Sequence, residues 1–331
     1  MSAEAEVDAL LEREPQNISA LVQKGELRSA GGDDRAAAAF FKAALRAAAA
    51  AQPLPSSLRP AIERAQMGLA RCEASFERHT EEALTAAGFP AGRRPRRFEE
   101  SLELMRGLRQ AELQLQQPTG FYFPGLPQRR YYERSKLPWA SGIEAAAPTI
   151  KAELLDYLAG GDNAFSPYMV SDPTRPRTEY HGLLDNPDWS TFHIFEKGRR
   201  VPNLEQHFPK TLEAVESLDL PRITVRAPSI LFSRLAPGAR IPPHHGIMNA
   251  RLICHLPLIV PPGCGFRVGG EVRQWREGEL LVFDDTVEHE AWNDGDSERI
   301  ILIFDVWRPE VTEDERRAII ALFEAVDAYA G

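Results

Sequence analysis

The pattern of apolar and polar positions divides the chain into a helical N-terminal part and a β-rich C-terminal part. Up to about residue 90, alanine and leucine recur at helical spacing with few β-branched residues, which predicts helices. Beyond Arg222, short apolar segments alternate with Pro- and Gly-containing turns, which predicts strands of a β-sandwich or open barrel. The predicted strands are 223–235, 251–260, 265–268, 279–283 and 299–306. Because the last of these is apolar on both faces, we expect both of its faces to be buried.

The N-terminal helices carry the skeleton of one tetratricopeptide unit, in which small residues let two antiparallel helices approach closely. The positions that fit this skeleton are Leu21, Gly25, Ala37, Phe41 and Ala44. Residues 31–34 supply the turn between the two helices, and a second helical pair is predicted over 57–87. The alternative is an alanine-rich helical hairpin packed on the next domain.

A charged helix is predicted over 97–117 and another helix over 147–158. We therefore predict an α-helical, tetratricopeptide-like domain at 1–92, a linker helix within 93–120 and a β domain at 121–331. The fold class is α+β, with a C-terminal double-stranded β-helix of the jelly-roll or cupin-like kind.

Composition narrows the function classes. The 331 residues carry a formal charge of -9, which argues against a protein that binds nucleic acid or an anionic membrane surface. The 3 cysteines are too few and too scattered for a disulfide framework or a thiolate zinc site. The acidic N-terminus shows no signal peptide and no apolar run long enough to span a membrane, so we expect a cytoplasmic location.

Candidate chemistry lies in the predicted strands. His244 follows one strand and His289 follows another, and a double-stranded β-helix brings such strand-edge positions together. Neutral imidazole is a good ligand for iron(II). Arg299 then opens an otherwise apolar strand, and a buried arginine needs an anionic partner such as a carboxylate. Two histidines followed by an arginine fit a metal that holds one end of 2-oxoglutarate while the guanidinium holds the other; alternatively, Arg299 pairs with Asp285 or Glu288.

From Trp189 onward the sequence resembles the aspartyl/asparaginyl β-hydroxylase family of iron(II)/2-oxoglutarate dioxygenases. The segments that carry this resemblance are Asp188-Trp189-Ser190, Ser233 with Pro237-Gly238, His244-x-Gly246, Trp275-x-x-Gly278, Phe283-Asp284-Asp285-x-x-x-His289-Glu290-x-Trp292, Arg299, and Asp305-Val306-Trp307-x-Pro309-Glu310. Weaker similarity reaches back to residues 121–127, so about two-thirds of the chain is covered.

The resemblance implies roles for individual residues. The family carries glycine where most enzymes of this fold have an acidic ligand, and Gly246 stands at that position. Iron(II) would then be held by His244 and His289 alone, with His245 as the competing first ligand, and 2-oxoglutarate and O2 would complete the site. The residues implied to contact the co-substrate are Arg299, Ser233, Trp189 and His255. The alternatives are a core tryptophan and a strand histidine for the last two. No catalytic side chain beyond the metal ligands is expected.

One position departs from the family. Its members read Arg-Leu-Arg-Met-His after the first ligand, whereas this chain reads Arg251-Leu252-Ile253-Cys254-His255, so Arg251 and Ile253 are expected to line the pocket. The missing arginine puts specificity for an acidic substrate in doubt. The leading interpretation is a hydroxylase acting on the β-carbon of an Asp/Asn-type residue in a peptide or protein docked by the N-terminal helices. The alternatives are a hydroxylase of a lipid or free amino acid, and a non-catalytic tetratricopeptide-type binding protein.

Overall fold

The computed structural model of the chain describes residues 3–51, 54–109, 115–161, 165–171, 182–224 and 226–329. The chain divides into two compact units with a boundary between Arg93 and Arg94. The second unit extends to Ile320, and the residues after it belong to the first unit.

The first unit is built from helices α1 (Ala3–Arg13), α2 (Ile18–Ala30), α3 (Asp34–Ala50) and α4 (Arg59–Ala86). Asn17 and Asp33 cap α2 and α3, since their side chains accept hydrogen bonds from the third residue beyond each of them. Phe41 of α3 packs against Gly25 of α2 and Gly68 of α4, where an added Cβ would overlap its ring. The predicted hairpin of α2 and α3 and its turn are therefore confirmed.

The predicted second helical pair over 57–87 is wrong, because α4 is one continuous helix of 28 residues. Pro60 stands in its first turn, where proline is tolerated, and no breaker follows before Ala87. Gly68 lies inside this helix, where a larger side chain would overlap the ring of Phe41.

Two further sequence expectations need correction. The charged helix, α5, spans only Arg96–Met105, and Gly107 follows with a positive φ of 71°. Part of the predicted 97–117 helix, residues 110–114, lies outside the described residues. Helix α6 spans Ala140–Ala159 and so begins before the predicted 147, with Pro148 inside it.

Two further helices are α7 (Pro209–Glu216) and α8 (Glu313–Ala328). Among the described residues, none of the helices is both long and apolar enough to cross a bilayer.

The strands of the second unit form two antiparallel sheets. The strands are β1 (Tyr131–Tyr132), β2 (Ser166–Pro167), β3 (Trp189–Glu196), β4 (Arg199–Arg200), β5 (Ile230–Leu235), β6 (Arg240–His244), β7 (Arg251–Ile259), β8 (Cys264–Val268), β9 (Glu271–Arg273), β10 (Leu281–Phe283), β11 (His289–Asn293) and β12 (Arg299–Trp307). The larger sheet has the order β1-β10-β7-β12-β5-β3-β2 with β4 beside β3, and the smaller has the order β6-β11-β8-β9. The predicted strand 223–235 starts only at Ile230, because Pro228 lacks the amide that a ladder requires.

Both faces of β12, a central strand of the larger sheet, are buried, as its apolar pattern predicted. One face packs on α6 and α7, through residues such as Ile150, Phe208 and Leu302. The other face meets the smaller sheet, through residues such as Phe266 and Ile301. The predicted α+β class and C-terminal double-stranded β-helix are confirmed. The candidate site lies on the face between the two sheets.

Candidate metal centre

The two predicted ligands are direct partners in the smaller sheet. His244 is the last residue of β6 and His289 the first of β11, and they stand opposite each other in the antiparallel register. Their ring centroids are 4.0 Å apart. The structure thus places His244, rather than His245, opposite His289; the Nε2 of His245 is buried without a hydrogen-bond partner.

Each of the paired imidazoles is oriented by a carbonyl two residues before it. His244 Nδ1 lies 2.8 Å from the Pro242 oxygen, and His289 Nδ1 lies 3.0 Å from the Val287 oxygen. A carbonyl oxygen can only accept, so Nδ1 carries the proton and Nε2 keeps its lone pair. This is the arrangement by which proteins orient histidine ligands of a metal.

Burial keeps both rings neutral. It lowers the pKa of His244, and it lowers the pKa of His289 to about 3, with the neighbouring His244 acting in the same direction. Neutral imidazole is the form that binds a metal ion. The pair is therefore ready to bind a divalent ion near neutral pH without first losing protons.

The position two residues after His244 has no room for a third ligand. Gly246 donates its amide to the Asp285 carbonyl at 2.6 Å, and a Cβ at Gly246 would overlap the Asp285 carboxylate. Among the described residues, no group of three or more His, Cys, Asp or Glu side chains is arranged to hold a metal. A metal at this site would have two protein ligands and open positions for other molecules.

Asp285 is itself an unusual group. It is buried, its Oδ1 has no hydrogen-bond partner, and Arg251 lies 3.6 Å from its Oδ2. Burial raises the pKa of Asp285 to about 7, against the opposing effect of the Arg251 guanidinium.

The larger sheet contributes a buried cation beside this centre. Arg299 is 1% exposed, and its Nη2 donates to Ser233 Oγ at 3.4 Å. Its guanidinium lies 4.7 Å from the centre of the Trp275 ring, and its Nε has no partner. Burial lowers the pKa of Arg299 to about 10, still well above neutrality.

The alternative in which Arg299 pairs with Asp285 or Glu288 is not seen. Asp285 faces Arg251, and Glu288 pairs with Arg267 at 3.0 Å. No carboxylate pairs with Arg299 within the part of the chain that the structure describes.

Further polar groups around Arg299 also lack partners. His255 Nδ1 and Trp275 Nε1 are buried without a hydrogen-bond partner. Burial, with Arg299 acting in the same direction, holds the pKa of His255 well below its usual range. Trp189 Nε1 donates to Ser233 Oγ at 3.3 Å. Three neighbouring side chains thus have unsatisfied buried polar atoms, which natural proteins normally avoid unless a ligand or water satisfies them.

Aromatic rings connect this pocket to the histidine pair. The Trp189 ring lies 6.1 Å from that of His244 and 4.3 Å from that of Tyr168. On the other side, Phe283 lies 4.8 Å from His255 and 5.4 Å from His289. The predicted metal and co-substrate residues therefore surround one region between the sheets.

Arg251 and Ile253 occupy the same strand as His255, at alternate positions. Arg251 Nη1 donates to Asp305 Oδ2 at 2.7 Å, so two carboxylates, Asp305 and Asp285, face this one guanidinium. Ile253 is only partly buried and packs against the cluster between the sheets. The described part of this wall thus offers an apolar side chain beside an arginine that is already paired.

The sequence profile of the aspartyl/asparaginyl β-hydroxylases matches residues 144–309. This chain belongs to that family. The β-hydroxylase of Homo sapiens is 41% identical over 146 residues, which cover 44% of this chain and 19% of the human protein. Human aspartate β-hydroxylase domain-containing protein 2 is 31% identical over 213 residues, covering 63% of this chain and 55% of that protein. An ornithine lipid ester-linked acyl 2-hydroxylase of Rhizobium tropici is 33% identical over 181 residues, covering 54% and 60%.

This member of the β-hydroxylase family spans about a fifth of the first of these relatives and somewhat more than half of the other two. The matched residues contain both histidines, Arg299 and every other predicted site residue.

The roles of two residues at the site were not predicted. Trp275 had no predicted role, and Asp285 was predicted only as an alternative partner of Arg299, although both stand in segments that carry the family resemblance. Its position two residues after a buried strand and four residues before a ligand was a usable signal for Asp285. For Trp275 the residue type alone predicts only burial, and its unpartnered indole nitrogen is visible only in the structure.

Proposed function

We propose that the protein is an iron(II)/2-oxoglutarate-dependent dioxygenase that hydroxylates an unactivated C–H bond. The proposed substrate is the β-carbon of an Asp/Asn-type residue in a peptide or protein. The observation that carries this proposal is a pair of neutral imidazoles beside a buried arginine that has no acidic partner among the described residues. Docking of the peptide by the N-terminal helices stays a prediction.

The donor set fits iron(II). His244 and His289 each present Nε2, and because the described part of the chain offers no third ligand, several coordination positions stay open. Iron(II) oxygenases use histidine ligands together with open positions for a co-substrate and dioxygen.

The anion pocket fits 2-oxoglutarate. A carboxylate can accept two hydrogen bonds from a guanidinium, and Arg299 has an unused Nε together with an Nη2 that already reaches Ser233. The opposite end of a dicarboxylate would approach the histidine pair and His255. A short dianion with two carboxylates is thus the ligand class that satisfies the orphaned donors at both ends.

When bound, iron(II) and 2-oxoglutarate would supply the oxidation. One atom of O2 enters the substrate as a hydroxyl, and the other enters succinate as 2-oxoglutarate loses CO2. The side chains described here bind and orient these molecules and exclude water, and none of them is needed as a nucleophile.

The test combines binding with turnover. Protein incubated with iron(II), ascorbate, 2-oxoglutarate and Asp- or Asn-containing peptides should yield one succinate for each peptide that gains an oxygen atom, measured by mass spectrometry. The double variant His244→Ala/His289→Ala should lose iron binding and succinate formation. Wild-type protein that binds neither iron(II) nor 2-oxoglutarate would refute the proposal.

A second substrate class has a specific observation in its favour. Ile253 places an apolar side chain on the pocket wall, and one relative is named as an acyl hydroxylase of a lipid. If the substrate is an acyl chain, short-chain acyl lipids should be hydroxylated faster than peptides, and Ile253→Arg should lower that rate. Peptide turnover with no acyl product would rule out this second candidate.

A further inference from the structure

We infer that residues 115–128, called the strap from here on, set the separation of the two histidines, with Gln116 as the main positioning residue. The strap lies outside the part of the chain that matches the family profile. The inference rests on the proposed metal site, because it concerns what holds that site in shape.

The strap is bonded to the segment that precedes His289. Gln116 forms an antiparallel β-bridge with Val287, and the Gln117 amide donates to the Thr286 carbonyl at 2.7 Å. Val287 supplies the carbonyl that orients the His289 ring. The strap therefore acts directly on the backbone that aims one of the two ligands.

The strap is also bonded to the segment that follows His244. The Thr119 amide donates to the Gly246 carbonyl at 2.9 Å, and the amides of Gly120 and Phe121 both donate to the Ile247 carbonyl. Gly120 is held so close to this segment that an added Cβ would come within 2.8 Å of the Ile247 Cγ2. One short stretch of chain thus fixes both ligand-bearing segments.

The Gln116 side chain joins the two segments a second time. Its Nε2 donates to Asp284 Oδ2 at 2.6 Å, on the His289 side. Its Oε1 accepts from Asn249 Nδ2 at 3.0 Å, on the His244 side. A carboxylate can only accept, so this orientation of the amide is the one that satisfies both partners. Gln116, Asn249 and Asp284 are all buried, so water does not compete for these bonds.

The side-chain bonds of Gln116 matter because, among the described residues, the site has two protein ligands and no third one that would help to fix the metal. The separation of the two Nε2 atoms therefore depends on the segments that carry His244 and His289. The pairing of β6 with β11 joins these segments on one side of the ligands, and the strap joins them on the other. Loosening the Gln116 bonds should therefore lower metal affinity more than it lowers the stability of the fold.

The test compares two substitutions that each remove the hydrogen bonding of a buried side chain at nearly constant volume. Gln116→Met removes the side-chain hydrogen bonds to Asp284 and Asn249. Thr211→Val is the matched control, because the buried Thr211 hydroxyl of α7 donates to Glu153 of α6 at 2.7 Å. Cobalt(II) titration of the full chain, followed by the visible absorption of the bound ion, gives a dissociation constant and a spectrum that reports ligand geometry. Thermal unfolding of the metal-free proteins gives the loss of stability.

We expect Gln116→Met to weaken cobalt(II) binding by about 10- to 100-fold and to alter the spectrum, as for other residues that orient metal ligands. Thr211→Val should leave both unchanged at a comparable loss of thermal stability. Gly120→Ala, which keeps the backbone bonds but pushes on Ile247, should weaken binding to a smaller extent and serves if Gln116→Met does not fold.

Three outcomes would overturn the inference. Wild-type affinity in Gln116→Met and Gly120→Ala would show that the strap does not position the ligands. Equal weakening in Thr211→Val would show a general loss of stability instead. Wild-type protein that binds no cobalt(II) would refute the proposed metal site itself, whereas wild-type binding that survives both strap variants would refute only the role of the strap.

Discussion

Arg308 and Arg299 are described arginines of the second unit that are almost completely buried. They differ in whether their guanidinium groups have carboxylate partners. Arg308 is 0% exposed and donates to Asp284 at 2.7 Å, to the Tyr132 hydroxyl at 2.9 Å and to the Asn249 carbonyl at 3.1 Å. Arg299 is 1% exposed; within the residues that the structure describes, it donates a hydrogen bond to the Ser233 hydroxyl alone, and its Nε has no partner.

The difference separates scaffold from binding pocket. A buried charge is costly unless it is paired and hydrogen-bonded, so a satisfied one such as Arg308 belongs to a completed structural network. An unpaired buried charge such as that of Arg299 raises the free energy of the folded protein, and the rest of the fold must compensate for it. Binding of an anion beside Arg299 would lower that free energy. Burial by itself therefore did not identify the pocket; the missing partner did.

The largest effect is expected from Arg308→Met. The substitution leaves the Asp284 carboxylate buried without its cation, which should lower the free energy of unfolding by about 3 kcal/mol or more. Chemical denaturation at neutral pH measures this. A loss under about 1 kcal/mol would mean that the remaining donors to Asp284, Gln116 and Thr286, satisfy it alone.

Arg299→Met should affect ligand binding and leave stability intact, in contrast to Arg308→Met. The free energy of unfolding of the ligand-free protein should stay the same or rise, because an unpaired buried charge is replaced by an apolar side chain. Affinity for 2-oxoglutarate, measured by calorimetry with manganese(II) in place of iron, should fall by about 100-fold or more. Strong destabilisation without loss of affinity would place Arg299 in the scaffold beside Arg308.

Gly246→Asp asks whether the missing acidic ligand could be restored. The new side chain would collide with the Asp285 carboxylate, so we expect a loss of about 1–3 kcal/mol in unfolding free energy. Metal affinity should not improve. The double variant Gly246→Asp/Asp285→Ala should recover stability. If Gly246→Asp alone binds metal more tightly than wild type, the space beside Gly246 does admit a third ligand.

The effect that is smallest near neutral pH, and that grows as the pH falls, is a pH dependence of stability. Because the pKa of folded His289 is lowered to about 3, the unfolded chain binds a proton first as the pH falls below about 6.5. His289 therefore contributes stability that is present above that pH and is lost as the pH falls towards 3, by at most about 1.4 kcal/mol per pH unit. The difference between the metal-free wild-type and His289→Phe profiles isolates this share, because Asp285 titrates in both. Parallel profiles would show that His289 is not held neutral by the fold.

Much of the architecture was predictable because it depends on local patterns. Leu21 and Gly25 stand four residues apart, as do Ala37 and Phe41, and the helical hairpin formed as predicted. The apolar faces of β12 required cover on both sides and received it. The predictions of helix boundaries were wrong where packing between distant residues decided the outcome. The predicted helical pair over 57–87 is one such error, because Gly68 lies inside one continuous helix and packs against the ring of Phe41.

The sequence by itself determined the chemistry available at the site. It supplied two histidines, an arginine opening an apolar strand, and a glycine where an acid would be needed, and these residue types limit which ligands can bind. Only the tertiary structure decided which of these groups have partners. Arg251 and Arg308 are paired with aspartates more than 20 residues away in the chain, whereas Arg299 has no carboxylate partner among the described residues. Pairing between distant side chains depends on how strands and loops meet in space, and spacing along the chain does not encode it.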